Sequence, residues 1–395
     1  MNLFTLSLAY LHARKLTNIL LVVLLALGVA TMSLLFHCSH QAEARLSRDA
    51  QGIDLVVGAK GSPLQLVLSS VYHMDIPTGN IARKDADTII KNPQVKQAIP
   101  LALGDSYHGF RIVGTDANYA QHYNAQLADG MFFSAPMEAV AGADTGLSVG
   151  SSFAGNHGLV ESNDVHAEFP YKVVGVLKPT STVLDRLILT PLESVWRIHE
   201  GHHHHDEDEK EEHASNEITA LLVSYKSPIS AMSMPREINR NTNMQAASPA
   251  LEIARLLSLL GIGIDTLHMF GAVLMASAVV GMLVALYQSM QARRYDLAIM
   301  RVLGGTKATL IKQVLLESLI LLAAGIALGL LLSHGALGLL PHLSAQLATL
   351  KLNAFAFLPE ELMACSGLLL AGLLVSVLPA FSIYRMDVSR ILAHG

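Results

Sequence analysis

A histidine-rich segment carries the clearest metal-binding chemistry in this chain. Residues 199–213 read HEGHHHHDEDEKEEH, with six of the 18 histidines and six acidic residues after the four-histidine run. Imidazole nitrogen binds borderline metals such as zinc, and nearby carboxylates add oxygen ligands or orient a histidine. The candidate metal ligands are His199, His202, His203, His204, His205 and His213.

The spacing of these histidines does not define one tetrahedral zinc centre. We expect a flexible zinc-collecting loop with several weak, exchangeable arrangements, to which copper(II) or nickel(II) would also bind in vitro. The composition equally fits a solvated, disordered insertion that cannot bury a core, and the two interpretations are compatible. The run is internal and precedes the strand-like EITALLVSY, which argues against an expression tag.

Four long apolar segments predict that the chain spans a membrane. Its 395 residues are 51% hydrophobic and have a mean hydropathy of +0.41, too apolar for an ordinary soluble protein. A membrane helix needs about 20 mainly apolar residues, because the hydrocarbon core is roughly 30 Å thick. The segments that qualify are 18–38, 267–290, 311–333 and 362–384.

The basic residues beside these segments predict an orientation with both termini in the cytoplasm. The loop 334–361 contains Lys351 as its single Lys or Arg, as an external loop should. The first segment exceeds the apolar core of a signal peptide and lacks a convincing cleavage site, so we predict an uncleaved anchor. The cytoplasmic groups are Arg14 and Lys15; Arg293, Arg294, Arg301, Lys307 and Lys312; and Arg385 and Arg390.

The long interval between the first two segments predicts a large external domain. Runs such as FRIVGT, YKVVGVL and EITALLVSY alternate with turns and helical stretches, which indicates a mixed α/β globule. GAKGSP at 58–63 lacks the spacing of a phosphate-binding loop and is interpreted as a structural turn. The predicted organisation is 1–38 N-terminus and first helix, 39–247 external domain, 248–266 helical stalk and 267–395 membrane domain.

Several residues inside the apolar segments indicate how the helices pack and pair. Gly325 with Gly329, and Ser277 with Gly281, are small-residue pairs that would let helices approach closely, although glycine is common in membrane helices. Glu317 is costly in lipid unless it has a partner, and we expect interfacial or interhelical hydrogen bonding there. The two cysteines, Cys38 and Cys365, allow either a disulfide or two separate thiols.

One stretch carries a family resemblance. Residues 293–329 read RRYDLAIMRVLGGTKATLIKQVLLESLILLAAGIALG: a basic pair, a glycine break and a long apolar helix. With LPAFSIYRMDVSRIL at 378–392, this stretch resembles the membrane domain of FtsX-like ABC transporter permeases, which include macrolide exporters and lipoprotein-releasing complexes. The fold expected is an α-helical membrane protein with four transmembrane helices and a large mixed α/β extracytoplasmic domain between helices 1 and 2.

The resemblance implies that residues 291–307 contact an ATPase. Asp296 stands where the family commonly has glutamate, so a shorter acid would serve here. The chain shows no phosphate-binding loop, so ATP is expected on a separate subunit, and this subunit is expected to need no cofactor. The candidate docking residues are Arg293, Arg294, Asp296, Arg301, Gly304, Gly305 and Lys307.

The function expected is a permease that couples ATP hydrolysis to movement of its external domain, for zinc or another divalent metal. Lipoprotein release, efflux of hydrophobic compounds, and regulation of signalling or cell-wall hydrolysis are the alternatives. Expected partners are the ATPase, a second permease copy or homologue, a periplasmic binding protein and inner-membrane lipid. The net charge of −5 argues against nucleic acid, and no catalytic constellation suggests an enzyme.

Overall fold

The chain divides into two compact units. A computed structural model describes residues 3–158, 169–200, 217–343 and 353–382. The first unit, called here the helical unit, comprises Met1–Ala42 and Leu260–Gly395, and the second, called the external unit, comprises Glu43–Leu259.

Helices form most of the first unit and flank the sheet of the second. Within the described residues they are α1 (Leu3–Ala13), α2 (Lys15–Asp49), α3 (Pro63–Ser70), α4 (Arg83–Ile90), α5 (Ala117–His122), α6 (Leu192–Glu200), α7 (Ser230–Asn241), α8 (Pro249–Ala292), α9 (Arg294–Val302), α10 (Lys307–Leu343) and α11 (Pro359–Ser382).

Four of these helices, α2, α8, α10 and α11, are long and apolar enough to cross a membrane. They cover the four predicted spans as far as residue 382, where the description of the chain ends. The predicted stalk is continuous with the second span, because α8 begins at Pro249 and runs to Ala292 without a break. The first span also continues as helix past residue 38, as far as Asp49, where a globular domain was expected.

Close helix packing holds the helical unit together. Its core contains Leu25 and Val29 of α2 with side chains from α8, α10 and α11. A Cβ added at Gly325 or Gly329 would lie 2.6 Å from the Cβ of Leu25 or Val29, so this predicted glycine pair does face another helix. In the second predicted pair, Ser277 is exposed and bonds to its own helix, whereas a Cβ added at Gly281 would lie 3.2 Å from Cδ2 of Leu21 on α2, so only Gly281 faces another helix.

The external unit is built on a mixed sheet. Its strands are β1 (Leu55–Ala59), β2 (Ile81–Ala82), β3 (Val95–Tyr107), β4 (Phe110–Thr115), β5 (Leu127–Gly130), β6 (Glu138–Ala141), β7 (Ser152–Phe153), β8 (Asn156–His157), β9 (Tyr171–Leu177), β10 (Leu187–Pro191), β11 (Glu217–Ile218), β12 (Ala220–Tyr225) and β13 (Met244–Ala247).

The described part of the main sheet has 11 strands, with the path β13-β1-β12-β3-β4-β10-β6-β9-β5. β4 pairs with β10 and β6 with β9 in parallel, whereas β1, β12 and β3 are antiparallel neighbours. The predicted runs FRIVGT and YKVVGVL coincide with β4 and β9. Four membrane-length helices and a mixed α/β unit between the first two confirm the predicted fold class.

Two long helices contribute their ends to the core of the external unit. Leu46 and Ala50, at the end of α2, and Ile253, near the start of α8, pack into the same apolar cluster as Val56 of β1. Hydrogen bonds fix the end of α2 further, because the hydroxyl of Tyr72 donates to the Leu46 carbonyl over 3.1 Å. The last turn of α2 is therefore an integral part of the external unit.

An ion pair adds to this attachment. The carboxylate of Asp49 is 1% exposed and lies 3.1 Å from the Arg186 guanidinium, which also donates to the Tyr72 carbonyl over 3.1 Å. The Tyr123 hydroxyl donates to the Asp49 carbonyl over 2.5 Å. Charged and neutral hydrogen bonds thus hold the same turn of α2 from different elements.

The GAKGSP stretch is a strand-to-helix turn, as predicted. Gly58 and Ala59 end β1, and the Ser62 hydroxyl caps α3 by accepting the N–H of Gln65, while Pro63 occupies the first helical position. Ser62 and Pro63 therefore serve the start of a helix.

Candidate functional site

The predicted ATPase-docking residues lie on α9 and the turns at its two ends. Arg293 separates α8 from α9, while Arg294, Asp296 and Arg301 are on α9 itself. Gly304 and Gly305 follow the helix, and Lys307 opens α10. The docking candidates thus form one short helix and its two turns, between the long helices α8 and α10.

The glycine break ends α9 by a defined hydrogen-bond pattern. Gly304 has φ of +96°, a left-handed conformation that glycine adopts without steric cost. The Gly304 N–H donates to the Arg301 carbonyl, and the Gly305 N–H donates to the Met300 carbonyl over 2.8 Å. This is a Schellman motif, which satisfies carbonyls that the last turn of a helix leaves free.

The next residue starts the following helix. The Thr306 hydroxyl accepts the N–H of Thr309 over 3.2 Å, which is the usual role of threonine before the first turn of a helix. The five residues LGGTK therefore end α9 and begin α10, so that α9 is a separate helix.

The two faces of α9 differ in chemistry. Leu297 and Ala298 are buried, and Leu297 packs with Met290, Leu310 and Val314 of the flanking helices. The opposite face exposes charged and apolar side chains together. It comprises Arg294, Tyr295, Asp296, Ile299, Val302 and Leu303 and is called here the α9 surface.

Arg293 differs from the other docking candidates because it lies inside the helical unit. Its side chain is 8% exposed, and its two terminal nitrogens donate to the two carboxylate oxygens of Glu317 over 2.8 and 2.7 Å. The guanidinium carbon also lies 4.2 Å from the ring centroid of Tyr10 on α1. A bidentate pair stacked on an aromatic ring is among the stronger charged contacts of proteins.

Glu317 lies on α10 and is 2% exposed, and the Gln313 amide also donates to it over 3.3 Å. The hydrogen bonding expected for Glu317 is thus present between helices, but sequence reasoning did not identify its partner. Two opposite charges in otherwise apolar segments were the available signal, because each is costly alone. The pair ties the α8–α9 junction to α10 and α1.

Most of the predicted metal ligands lie outside the part of the chain that the structure describes. Residues 201–216 lie outside the described parts of the chain, and these include His202, His203, His204, His205 and His213. The backbone of His199 belongs to the last turn of α6, and β11 follows the segment. The zinc-collecting loop therefore stays a prediction.

Sequence reasoning missed a different group of side chains, one that could hold a metal ion. His37, His334 and Glu361 come from three helices of the helical unit, and one ligand atom of each lies within 4.8 Å of the others. Because these three residues are far apart in the chain, no local sequence pattern identifies them as a group. Of the two alternatives given above for Cys38 and Cys365, the structure has the two separate thiols.

Comparison with known proteins places the chain in a family. No curated protein matches it significantly. The periplasmic region of MacB from Actinobacillus actinomycetemcomitans is similar, with 12% identity and a TM-score of 0.35 over 54% of this chain and 95% of that one. The extracellular domain of the noncanonic ABC-type transporter YknZ from Gram-positive bacteria is also similar, with 14% identity and a TM-score of 0.31 over 49% and 99%.

Two family descriptions match the sequence directly. The MacB-like periplasmic core domain matches residues 19–240, which is over half of the chain, and the FtsX-like permease C-terminal family matches residues 268–388. The second match contains α9, its two turns and the Arg293–Glu317 pair. The chain therefore belongs to the family of MacB/FtsX-like permeases, the multi-pass inner-membrane subunits of ABC-type transport systems.

Proposed function

We propose that this permease moves zinc or another divalent metal, powered by a separate ATPase that binds the α9 surface. The observation that carries the docking part is the structure of α9, which is anchored on one face and exposed on the other. Tyrosine and arginine beside exposed aliphatic groups are the composition that protein interfaces favour. The family itself implies an ATPase partner.

The orientation we propose puts the α9 surface in the cytoplasm, together with both termini. Arg294, Arg301 and Lys307 flank membrane-length helices, and basic residues accumulate on the cytoplasmic side. The external unit then lies on the opposite side of the membrane, in the periplasm. The ATPase and the external unit would act on opposite faces of the membrane.

Arg293 would act on docking indirectly. Its guanidinium is bonded to Glu317 and stacked on Tyr10, so it fixes the start of α9 and leaves recognition to the exposed side chains. A rigid start and a capped end keep α9 in one position. A force applied to α9 would then pass into the long helices that flank it.

The histidine-rich segment is what favours a metal as cargo. It follows α6 in the external unit and would gather borderline cations in the periplasm. We propose that the complex contains two permease chains, identical or related, and takes metal from a periplasmic binding protein. Lipoprotein release or efflux, with the segment incidental, is the alternative.

Charge reversal on the α9 surface tests docking. Asp296→Arg combined with Arg294→Glu should abolish co-purification of the ATPase with the permease, because both changes place a charge of the wrong sign against the partner surface. Asp85→Arg, at an exposed position on α4 of the external unit, is the control and should leave co-purification intact. ATPase recovered equally with the double variant would exclude the α9 surface.

Zinc uptake tests the cargo. Zinc-starved cells carrying the wild type, a deletion, or a chain with His202 to His205 replaced by alanine are given radiolabelled zinc. The deletion should lose high-affinity uptake and the alanine variant should lose part of it. Unchanged uptake in both strains would rule out zinc import and leave lipoprotein release or efflux as the function.

A further inference from the structure

Three side chains form a compact cluster inside the helical unit. His37 comes from α2, His334 from α10, and Glu361 from the first turn of α11. The Nε2 atoms of His37 and His334 lie 3.5 and 3.3 Å from the two carboxylate oxygens of Glu361. The two imidazole rings meet edge to face, with centroids 5.0 Å apart.

The cluster is shielded from water. The side chains of His37 and Glu361 are 0% and 1% exposed, and that of His334 is 16% exposed. A carboxylate at such a position is strongly destabilised unless a cation lies beside it. A proton, on the carboxylate or on a histidine, or a bound metal ion has to neutralise that charge.

Hydrogen bonds on the far side of His334 leave its Nε2 free to bind a metal. The Nδ1 atom lies 2.6 Å from the Ala354 carbonyl and must donate to it, because a carbonyl only accepts. In the neutral ring the lone pair is then on Nε2, facing Glu361. A histidine that donates its other N–H to a backbone carbonyl is the usual arrangement around protein-bound metals.

Two serines orient the carboxylate. Ser33 donates to Oε1 of Glu361, so the Ser333 hydroxyl, 2.7 Å from that of Ser33, must donate to Ser33. Oε1 therefore already accepts one hydrogen bond, and it lies 3.3 Å from Nε2 of His334. Two electron-rich atoms at 3.3 Å repel each other unless a proton or a metal ion lies between them.

His37 completes the set. Its Nδ1 lies 3.5 Å from the Gln41 amide nitrogen, the outer limit of a hydrogen bond, so this contact only weakly fixes the ring tautomer. Within the described residues, Nε2 of His37, Nε2 of His334 and Oε2 of Glu361 are buried atoms with no hydrogen-bond partner. Buried polar atoms are rarely left in this state, which points to a missing ligand.

The distances favour a metal over a proton. A charge-assisted N–H···O bond is about 2.7 to 2.9 Å long, shorter than both histidine–carboxylate distances here. Zinc binds nitrogen and oxygen at about 2.0 to 2.2 Å, so tetrahedral neighbours are roughly 3.3 to 3.5 Å apart. The two nitrogen–oxygen separations, each to a different oxygen of Glu361, therefore suit ligands around one ion, and all three ligand atoms lie within 4.8 Å of one another.

The geometry points to a binding site for one borderline divalent cation, such as zinc, formed by His37, His334 and Glu361. Two imidazoles and one carboxylate leave one coordination position open, as in zinc sites that exchange a ligand. Ser33 and Glu361 also line a small pocket with Cys365, which offers room for a water or an incoming ligand. The site rests on the helical unit alone and is independent of the histidine-rich segment and of zinc transport.

Metal content of the purified full-length chain tests the site. The parent protein carries alanine at His199, His202 to His205 and His213, which removes the histidine-rich background. After zinc loading and dialysis it should retain about one zinc per chain, and cobalt(II) should give a visible spectrum of low coordination number. His334→Ala and Glu361→Gln should lose both signals.

Two further variants guard against loss of folding. Ser33→Ala removes a neighbour of the carboxylate but no metal ligand, and should weaken zinc binding by about 10-fold. His342→Ala, at an exposed position on α10, is the matched control and should bind like the parent. Thermal unfolding without metal shows which variants remain folded.

The outcomes separate this site from the proposed transport function. A parent that retains no zinc, or folded His334→Ala and Glu361→Gln variants that retain as much as the parent, would overturn the site. Zinc bound at the site in a protein whose deletion leaves uptake unchanged would uphold the site and remove zinc import. Zinc uptake that depends on the wild-type chain, together with a parent protein that retains no zinc, would do the reverse.

Discussion

Buried charges in the helical unit are held by partners from other helices. Glu317 on α10 binds both terminal nitrogens of Arg293, and Glu361 on α11 faces His37 and His334. Ionisable groups inside membrane segments are costly unless they are paired in this way. At the scale of the residue, these contacts specify which helices pack together, beyond what apolar side chains alone can do.

Removing one partner of the Arg293–Glu317 pair should destabilise the helical unit. Glu317→Gln leaves a buried guanidinium without its counter-charge, which typically costs about 3 to 5 kcal/mol. Thermal unfolding in detergent should show a clear fall in Tm, whereas Glu360→Gln at an exposed position should not. Replacing both residues by apolar ones, Arg293→Met with Glu317→Leu, should recover most of the loss; no recovery would contradict the pairing.

His73 makes the external unit sensitive to acid. Its Nε2 lies 3.0 Å from the Tyr119 hydroxyl, and burial, with Arg111 and Arg186 nearby, holds the pKa of His73 well below its usual value. Below about pH 6.5 the unfolded chain then binds a proton that the folded chain does not. The free energy of unfolding therefore decreases by about 1.4 kcal/mol for each unit by which the pH is lowered below that value. The free energy of opening, measured by hydrogen exchange at the β4 amides, should depend less on pH in His73→Gln than in the wild type. Identical slopes in the two proteins would contradict this prediction.

At the scale of the element, α9 is a separate helix because the glycines that follow it end it before α10 begins. Gly304 alone in this turn has a left-handed backbone, and the Gly305 N–H closes the motif on Met300. LGGTK was readable in the sequence as a break because glycine and threonine have defined roles at helix ends. The same reasoning could not show that Arg293 lies inside, since burial depends on Tyr10 and Glu317, which are distant in sequence.

Gly304→Ala should weaken docking of the ATPase. A side chain in the left-handed region costs roughly 1 to 2 kcal/mol, which would fray the end of α9 and displace the α9 surface. ATPase co-purification and stimulated hydrolysis should both fall. Gly335→Ala in α10, where an added Cβ meets no atom within 4 Å, is the control and should leave both unchanged; equal behaviour of the two variants would contradict a role for this turn.

At the scale of the whole molecule, hydrophobic patterns were sufficient to predict the spans and the mixed α/β class. Long uncharged runs and short β-rich runs are local signals, and they found α2, α8, α10, α11, β4 and β9. Contacts between distant segments were not predictable in this way. The continuation of α2 to Asp49 depends on Tyr72, Tyr123 and Arg186, and the metal-ligand cluster joins residues 37, 334 and 361.

The end of α2 is where we expect movement driven by ATP to enter the external unit. Arg186→Ala removes the guanidinium that holds both Asp49 and the Tyr72 carbonyl, so the nearly buried carboxylate loses this hydrogen-bonded partner. The last turn of α2 should then exchange hydrogen faster by about 100-fold or more, since breaking a buried pair costs about 3 to 5 kcal/mol. ATP hydrolysis should continue while transport is lost, because the docking surface proposed for the ATPase lies on α9, a different element.

A surface ion pair of the same type provides the comparison for Arg186→Ala. Arg83 and Asp87 are partly exposed on α4 at 3.0 Å, and such pairs contribute about 1 kcal/mol at most. Arg83→Ala should therefore change neither exchange at residues 43–49 nor transport. If Arg186→Ala loosens α2 and transport persists at the wild-type rate, α2 is not the route by which the external unit is driven, and α8, whose first turns pack in the same core, becomes the remaining connection to test.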